Sequence, residues 1–144
     1  MKKHIVIILL FAWLLSLLTS CNTQFLGTPE VALPEKGKAT VVGTLISQDT
    51  NKPYDGVLVR LAGVHNQGNQ GAFVLDTAHS PGATTDKNGY FKFENIPAMQ
   101  YVMVIGDPMY SYVIITGTDG KAKVWDAPAN KVTNFGTIKT NYAP

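Results

Sequence analysis

The chain has 144 residues, with 12 Lys and Arg against 10 Asp and Glu, and a single cysteine, Cys21. One cysteine excludes an intrachain disulfide, and a chain of this length has room for about one domain. Lys2 and Lys3 account for the whole formal charge of +2, and the later lysines are spread singly. This pattern excludes the clustered basic face that nucleic-acid binding needs, so we expect no nucleic-acid partner.

The first 20 residues have the proportions of a bacterial secretion signal. Residues 1–4 are basic, and residues 5–18 form an apolar stretch that only Ser16 interrupts. A membrane-spanning helix needs about 20 apolar residues, so the shorter run is typical of the apolar segment of a signal peptide. We predict a helical lipoprotein signal peptide at residues 1–20.

The residues that end this segment, LTSC at 18–21, resemble a bacterial lipobox. The resemblance implies cleavage before Cys21 and lipidation of its thiol. The predicted partner is therefore a membrane, and the predicted location is the cell envelope, facing away from the cytoplasm. Asn22 replaces the aspartate that often marks inner-membrane retention in related enteric bacteria, which favours the outer membrane where the cell has one. An ordinary signal peptide and an uncleaved anchor are the alternatives.

Residues 21–38 are predicted to be a lipidated, flexible tether. They contain prolines, Thr, Gln and alternating Glu and Lys, with few apolar residues in a periodic pattern. Such a composition does not supply the apolar surface that a folded element must bury. The alternative is that residues 31–33 (VAL) join the domain as an extra edge strand.

From residue 39 to residue 144, short β-type runs alternate with turn residues. Asn88-Gly89 is the strongest hairpin signal, because both positions tolerate a positive φ. No window beyond the signal peptide shows a helical period. Short strands at spacings of about 8–12 residues predict an all-β sandwich, which we expect to have about seven strands and Greek-key connections. The runs are residues 39–47, 57–61, 72–75, 90–94, 101–105, 110–116, 121–125 and 132–140.

Several of these segments together resemble the carboxypeptidase regulatory-like domain. The resemblance covers roughly residues 39–105 and implies a β-sandwich of the transthyretin-like, or prealbumin, type. In that family such domains usually serve as accessory, stalk or binding modules, although fold alone does not assign function. One departure is Met99-Gln100, where the family has a glycine before the tyrosine-led strand. The matching segments are GTL at 43–45, KPYDGVLV at 52–59, TDKNGYFKF at 85–93, NIP at 95–97 and YVMV at 101–104.

Residue patterns typical of catalysis are sparse. Beyond the signal peptide the only histidines are His65 and His79, with Asp76 as a possible companion. No H-x-x-H or C-x-x-C spacing accompanies them, and a zinc site usually needs three or four ligands. We therefore expect no metal, no cofactor and no catalytic residue. The alternative is a small hydrolase or metal-dependent enzyme that uses His65, Asp76 and His79.

Aromatic residues give the remaining indication of function. Tyr54, Tyr110, Tyr112 and Trp125 cannot all be assigned to the core from their spacing. If Trp125 is exposed beside Tyr110 or Tyr112, the rings could form a platform for sugars; the alternative is core packing. The leading hypothesis is a non-enzymatic envelope lipoprotein whose sandwich is a binding or structural module, with a glycan or another envelope protein as its ligand.

Overall fold

The computed structural model describes residues 31–67 and 70–143, without the side chains of residues 67, 70 and 71. The described residues belong to one compact unit, Val31–Pro144. The predicted signal peptide, Cys21 and most of the predicted tether lie outside the described residues. Within the described part, no helix is long and apolar enough to cross a membrane.

The described residues form an all-β sandwich of two sheets, which confirms the predicted fold class. One sheet has the strand order β5-β1-β9, in which β1 and β9 are parallel. The other has the order β3-β2-β6-β7, with β4 also paired to β2 and β8 to β6. The strands are β1 Lys38–Ser47, β2 Leu58–Gln67, β3 Gln70–Val74, β4 Gly82–Thr84, β5 Tyr90–Pro97, β6 Met99–Asp107, β7 Ser111–Ile114, β8 Val124–Ala127 and β9 Lys131–Thr140.

These nine strands exceed the seven or so predicted, and the shortest of them explains much of the difference. β4 has only three residues, Gly82–Thr84, and therefore carries no recognisable alternation. It is a strand because its backbone pairs with Leu58–Arg60 of β2. Tertiary pairing, rather than local propensity, determines such a short element.

The main core lies between the two sheets and is built by alternation along their strands. Phe91 and Phe93 of β5 are buried on one face, and their rings meet edge to face with centroids 5.8 Å apart. Tyr101 of β6 is 1% exposed, and its hydroxyl donates to the Pro97 carbonyl over 2.7 Å. Burial raises the pKa of Tyr101 to about 12. A second cluster of Ala62, Val102 and Val104 lies on the other face of the larger sheet.

The predicted Asn88-Gly89 turn is present, but it is not a hairpin. β4 pairs with β2 and β5 pairs with β1, so the turn carries the chain from one sheet to the other. The Asp86 carboxylate accepts from the backbone N–H groups of Asn88 and Tyr90, which closes the turn. The Gly89 carbonyl accepts from Leu45 N–H over 2.8 Å and ties the turn to β1.

The sandwich has two poles, which we name by what lies there. At the entry pole, β1 begins at Lys38 beside Pro97, and β6 begins directly afterwards at Met99. β6 then runs nine residues, about 26 Å, to Asp107 at the opposite pole. The connection from β6 to β7 lies there, so we call it the hairpin pole.

The chain reaches the entry pole without adding a strand. Residues 31–35 have no strand assigned and Leu33 is 80% exposed, so the alternative of an extra edge strand is wrong. Glu35 N–H donates to Asn95 Oδ1 and Gly37 N–H donates to Asn130 Oδ1, each over 2.8 Å. These bonds attach the end of the predicted tether to the sandwich.

Candidate functional site

Trp125 lies in the core and not on the surface. It is 9% exposed, and its ring stacks on Phe135 with centroids 5.6 Å apart and an interplanar angle of 19°. Lys123 Nζ lies 4.9 Å from the centre of the ring. Trp125 pairs with Tyr101 on β6 and shares its core-facing side, because paired residues of neighbouring strands lie on one face. The predicted platform of Trp125 with Tyr110 or Tyr112 therefore does not form.

Distance along β6 also separates the members of that platform. Trp125 lies beside Tyr101 near the entry pole, whereas Tyr112 pairs with Gly106 near the hairpin pole. Five residues of an extended strand span about 17 Å, too far for two rings to contact one sugar ring together. Tyr110 and Tyr112 remain as the exposed candidates.

The turn between β6 and β7 and the start of β7 present exposed apolar side chains, which we call the tip. Tyr110 is 90% exposed, Met109 is 78% exposed and Tyr112 is 50% exposed. Tyr110 N–H donates to the Asp107 carbonyl over 3.0 Å, and Met109 N–H donates to Asp107 Oδ1 over 2.9 Å. Asp107 therefore satisfies the backbone of the turn, while the apolar side chains stay in solvent.

The tip packs against residues 142 and 143. Gly106 has φ +98°, and a Cβ there would overlap the Ser111 carbonyl oxygen and the Tyr142 ring. Ser111 Oγ donates to the Ala143 carbonyl over 3.0 Å. Tyr142 N–H donates to the Tyr54 hydroxyl over 3.0 Å, and the two rings meet edge to face. This packing gives the tip a fixed base.

The structure brings His65, Asp76 and His79 to one open pocket of about 270 Å³. Apolar lining residues include Leu61, Met99 and Tyr101. His79 Nδ1 lies 2.7 Å from Asp76 Oδ2, and both side chains are largely exposed. Among the described residues, no group of three His, Cys, Asp or Glu is arranged to hold a metal ion. The described histidines and Asp76 thus do not form the metal site considered above.

Asp76 has a structural explanation, because it builds the turn between β3 and β4. Asp76 Oδ1 accepts from Ala78 N–H over 2.8 Å and from His79 N–H over 3.3 Å. Asp76 N–H donates to Ser80 Oγ over 2.9 Å, and Arg60 Nη1 donates to the Thr77 carbonyl. The Ala78 N–H and the His79 side chain are the main causes that lower the pKa of Asp76. The carboxylate is therefore used in folding the turn.

We expect the Asp76 contribution to stability to depend on pH. Because folding lowers its pKa, the ionised carboxylate stabilises the fold above its ordinary pKa of 3.8, and this contribution is lost as the pH falls through the lowered value. Asp76→Asn keeps an oxygen acceptor but removes the charge, so its Tm should lie below the wild-type Tm at neutral pH. The gap should close below pH 3.8. Thermal unfolding from neutral pH to below pH 3.8 measures this difference in Tm.

Asp55→Asn is the matched control for that series, since Asp55 is an exposed loop carboxylate. Its Tm should lie close to the wild-type Tm at neutral pH. A gap for Asp76→Asn that stays constant below pH 3.8 would contradict the role assigned to the carboxylate.

No protein-family model matches the chain, and comparison with the curated proteins finds no match. Solved structures that resemble it include a candidate carbohydrate-binding protein from Pseudomonas aeruginosa, with 18% identity, coverage of 76% of this chain and 92% of that one, and a TM-score of 0.45. The major pilin subunit of Bacillus cereus is 20% identical. The match covers 74% of this chain and 30% of the pilin subunit, with a TM-score of 0.44. A 9R-lipoxygenase from Cyanothece is 19% identical. The match covers 75% of this chain and 17% of the lipoxygenase, with a TM-score of 0.41.

The matched region therefore spans less than a third of the pilin subunit and of the lipoxygenase. At these identities and TM-scores the similarity assigns no function to this chain.

Proposed function

We propose that this chain is a bacterial cell-envelope lipoprotein, anchored through lipid on Cys21, whose β-sandwich is a non-catalytic binding module. The lipobox-like residues 18–21 and the preceding basic and apolar segments support the anchor. The segments that resemble the carboxypeptidase regulatory-like domain support a module of that type. The outer membrane is the proposed location where the cell has one.

The observation that carries the binding role is the exposed tip. Met109, Tyr110 and Tyr112 leave apolar surface in solvent at the turn and at the start of β7, where Asp107 accepts from two backbone N–H groups of the turn and the base is packed. Glu35 and Gly37, at the end of the proposed tether, bond to the sandwich at the entry pole, and the tip lies at the opposite end of the domain from them. A contact surface at that pole is accessible to a partner when the domain is tethered.

The chemistry of the tip favours a protein partner over a glycan. Tyr and Met are enriched in the cores of protein interfaces, and an unbranched Met109 can adapt to an irregular surface. A sugar platform depends on flat rings placed side by side, and Trp125 is in the core. We therefore propose another envelope protein as the ligand, with a glycan bound by Tyr110 and Tyr112 as the alternative.

A photoreactive amino acid at position 110, introduced in the producing bacterium, tests this role. We expect a discrete protein adduct from position 110 and none from position 118, an exposed loop residue that serves as the matched control. Met109→Ser should lower the adduct yield because it removes the neighbouring apolar contact. Equal labelling from both positions, or none from either, would contradict the proposal.

A glycan array separates the alternative. A glycan is the ligand if three results agree: residues 22–144 bind an immobilised sugar, Tyr110→Ala abolishes that binding, and position 110 yields no protein adduct. Binding that survives Tyr110→Ala would place the sugar site elsewhere on the molecule.

A further inference from the structure

Among the residues that the structure describes, β3 is a free edge of the larger sheet. It pairs with β2 on one side, from Gln67↔Gln70 to Gly63↔Val74, and stands at the end of the strand order. A strand paired on one side presents a row of unpaired backbone N–H and C=O groups on the other side. Natural proteins usually protect such an edge with charge, proline, a bulge or a covering segment.

Within the described part of the chain, the β3 edge lacks the usual protection. Its five residues, QGAFV, include no charge and no proline. Phe73 and Val74 lie on opposite faces of the strand, and they are 40% and 52% exposed. Two large apolar side chains therefore flank an open row of hydrogen-bonding groups.

Other described edges carry protection that β3 lacks. β9 has exposed Lys131 and Lys139 and an irregular register where it pairs with β1, and Gly136 has φ +78°. β5 carries the ion pair between Lys92 Nζ and Glu94 Oε1, at 2.8 Å. These features oppose pairing with another strand.

Another edge of the larger sheet, β7, is occupied near both of its ends. Ser111 Oγ bonds to the Ala143 carbonyl at its start. Just beyond its end, Lys123 N–H donates to the Ile115 carbonyl over 2.9 Å. β3 is thus better suited to accept a strand than the edges at β5, β7 and β9. The other described edge strands, β4 and β8, are shorter, with three and four residues.

We propose that β3 pairs antiparallel with β3 of a second copy of this chain, about a two-fold axis at Ala72. Ala72 is the middle residue of Gln70–Val74, so this register pairs all five residues of the strand. It joins the two larger sheets into one continuous sheet through backbone hydrogen bonds. The two-fold axis closes the assembly, because each copy uses the same edge.

The side chains of β3 complement one another in this register. Phe73 lies opposite Gly71 of the second copy, where the absence of a side chain leaves room for the ring. The two Phe73 rings are diagonal neighbours on one face, within the reach of aromatic side chains. The strand has no charge, so the pairing brings no like charges together. This self-complementarity selects a second copy rather than an unrelated strand.

The proposal predicts weak, reversible dimers, because a five-residue edge buries less area than a standard protein interface. Sedimentation equilibrium of residues 22–144, which contain the whole compact unit Val31–Pro144, measures the association. Phe73→Lys should weaken it about tenfold or more, because two like charges then meet across the axis. Val124→Lys, on another strand of the same sheet and 47% exposed, should leave it unchanged.

A single engineered cysteine tests the register. Residues 22–144 contain no cysteine, so Ala72→Cys introduces the only thiol. Directly opposed residues of antiparallel strands have Cα atoms about 4.5–5.5 Å apart, within the range that a disulfide spans. Ala72→Cys should therefore form a covalent dimer in a mild redox buffer far faster than Tyr110→Cys, although Tyr110 is 90% exposed.

Three results would overturn the proposal. The first is a protein that stays monomeric at about 1 mM, where even weak interfaces of this kind associate. The second is association that Val124→Lys disrupts and Phe73→Lys leaves intact, which would indicate stacking of sheet faces. The third is crosslinking of Ala72→Cys no faster than that of Tyr110→Cys, which would indicate random collision.

Discussion

Replacing Trp125 with alanine is expected to lower the free energy of unfolding by about 3–5 kcal/mol. The indole is 9% exposed, belongs to the main core and stacks on Phe135, so its removal loses buried apolar area and leaves a cavity. Tyr110→Ala is the matched control, because that ring is 90% exposed. Its effect should stay within about 0.5 kcal/mol. Denaturant unfolding of residues 22–144 measures both variants.

Trp125→Ala and Tyr110→Ala together test which of the two aromatic residues lies in the core and which lies on the surface. A Trp125→Ala variant as stable as the wild type would contradict the core assignment and return Trp125 to the candidates for ligand contact. A large loss for Tyr110→Ala would show instead that the tip is part of the folding core, and the proposed binding surface would then need to lie elsewhere.

Replacing Gly89 with alanine is expected to lower the free energy of unfolding by about 3 kcal/mol or more. Gly89 has φ +74°, where a side chain is strained, and its Cβ would overlap the Leu45 carbonyl oxygen. That oxygen belongs to the central strand β1, which is packed on both sides by β5 and β9 and cannot shift freely. The turn from β4 to β5 must therefore open or move.

Gly120→Ala is the matched control, because Gly120 has the same φ of +74° and nothing within 4 Å of its Cβ position. It should cost only the backbone strain, about 1–2 kcal/mol. The difference between the variants measures the overlap with β1. Equal losses would contradict close packing of the turn against that strand, and denaturant unfolding again supplies the comparison.

Sequence patterns predicted the fold class well, and they predicted pairing less well. The long runs that became β1, β6 and β9 combine β-branched residues with turn residues at their ends, so their existence could be read directly. Asn88-Gly89 marked a turn correctly. The assignment of its flanking strands to different sheets depends on contacts such as the Gly89 carbonyl with Leu45 N–H, which join residues far apart in sequence.

The candidate site could likewise be predicted only in part from the sequence. Tyr110 follows Pro108 in a turn, and its exposure could be expected. Trp125 lies in a four-residue strand whose alternation of exposed and buried residues, eBeB, is too short to indicate which face meets the core. Met109 was missed, although an apolar residue directly after Asp107-Pro108 is a signal of an exposed turn position. The 2.7 Å contact of His79 with Asp76 joins residues three apart and could be predicted from the sequence. The pocket that both share with His65 depends on the pairing of β2 with β3, which the sequence does not indicate.

The proposed anchor precedes all of these elements, and it is the claim on which the envelope role depends. The mass of the N-terminal peptide of the mature protein, isolated from membranes of the producing bacterium, tests it directly. We predict a chain that begins at Cys21 and carries lipid on the thiol, and a Cys21→Ala variant that is no longer recovered with the membrane. A mature chain with an unmodified Cys21 would contradict the anchor and the envelope role built on it.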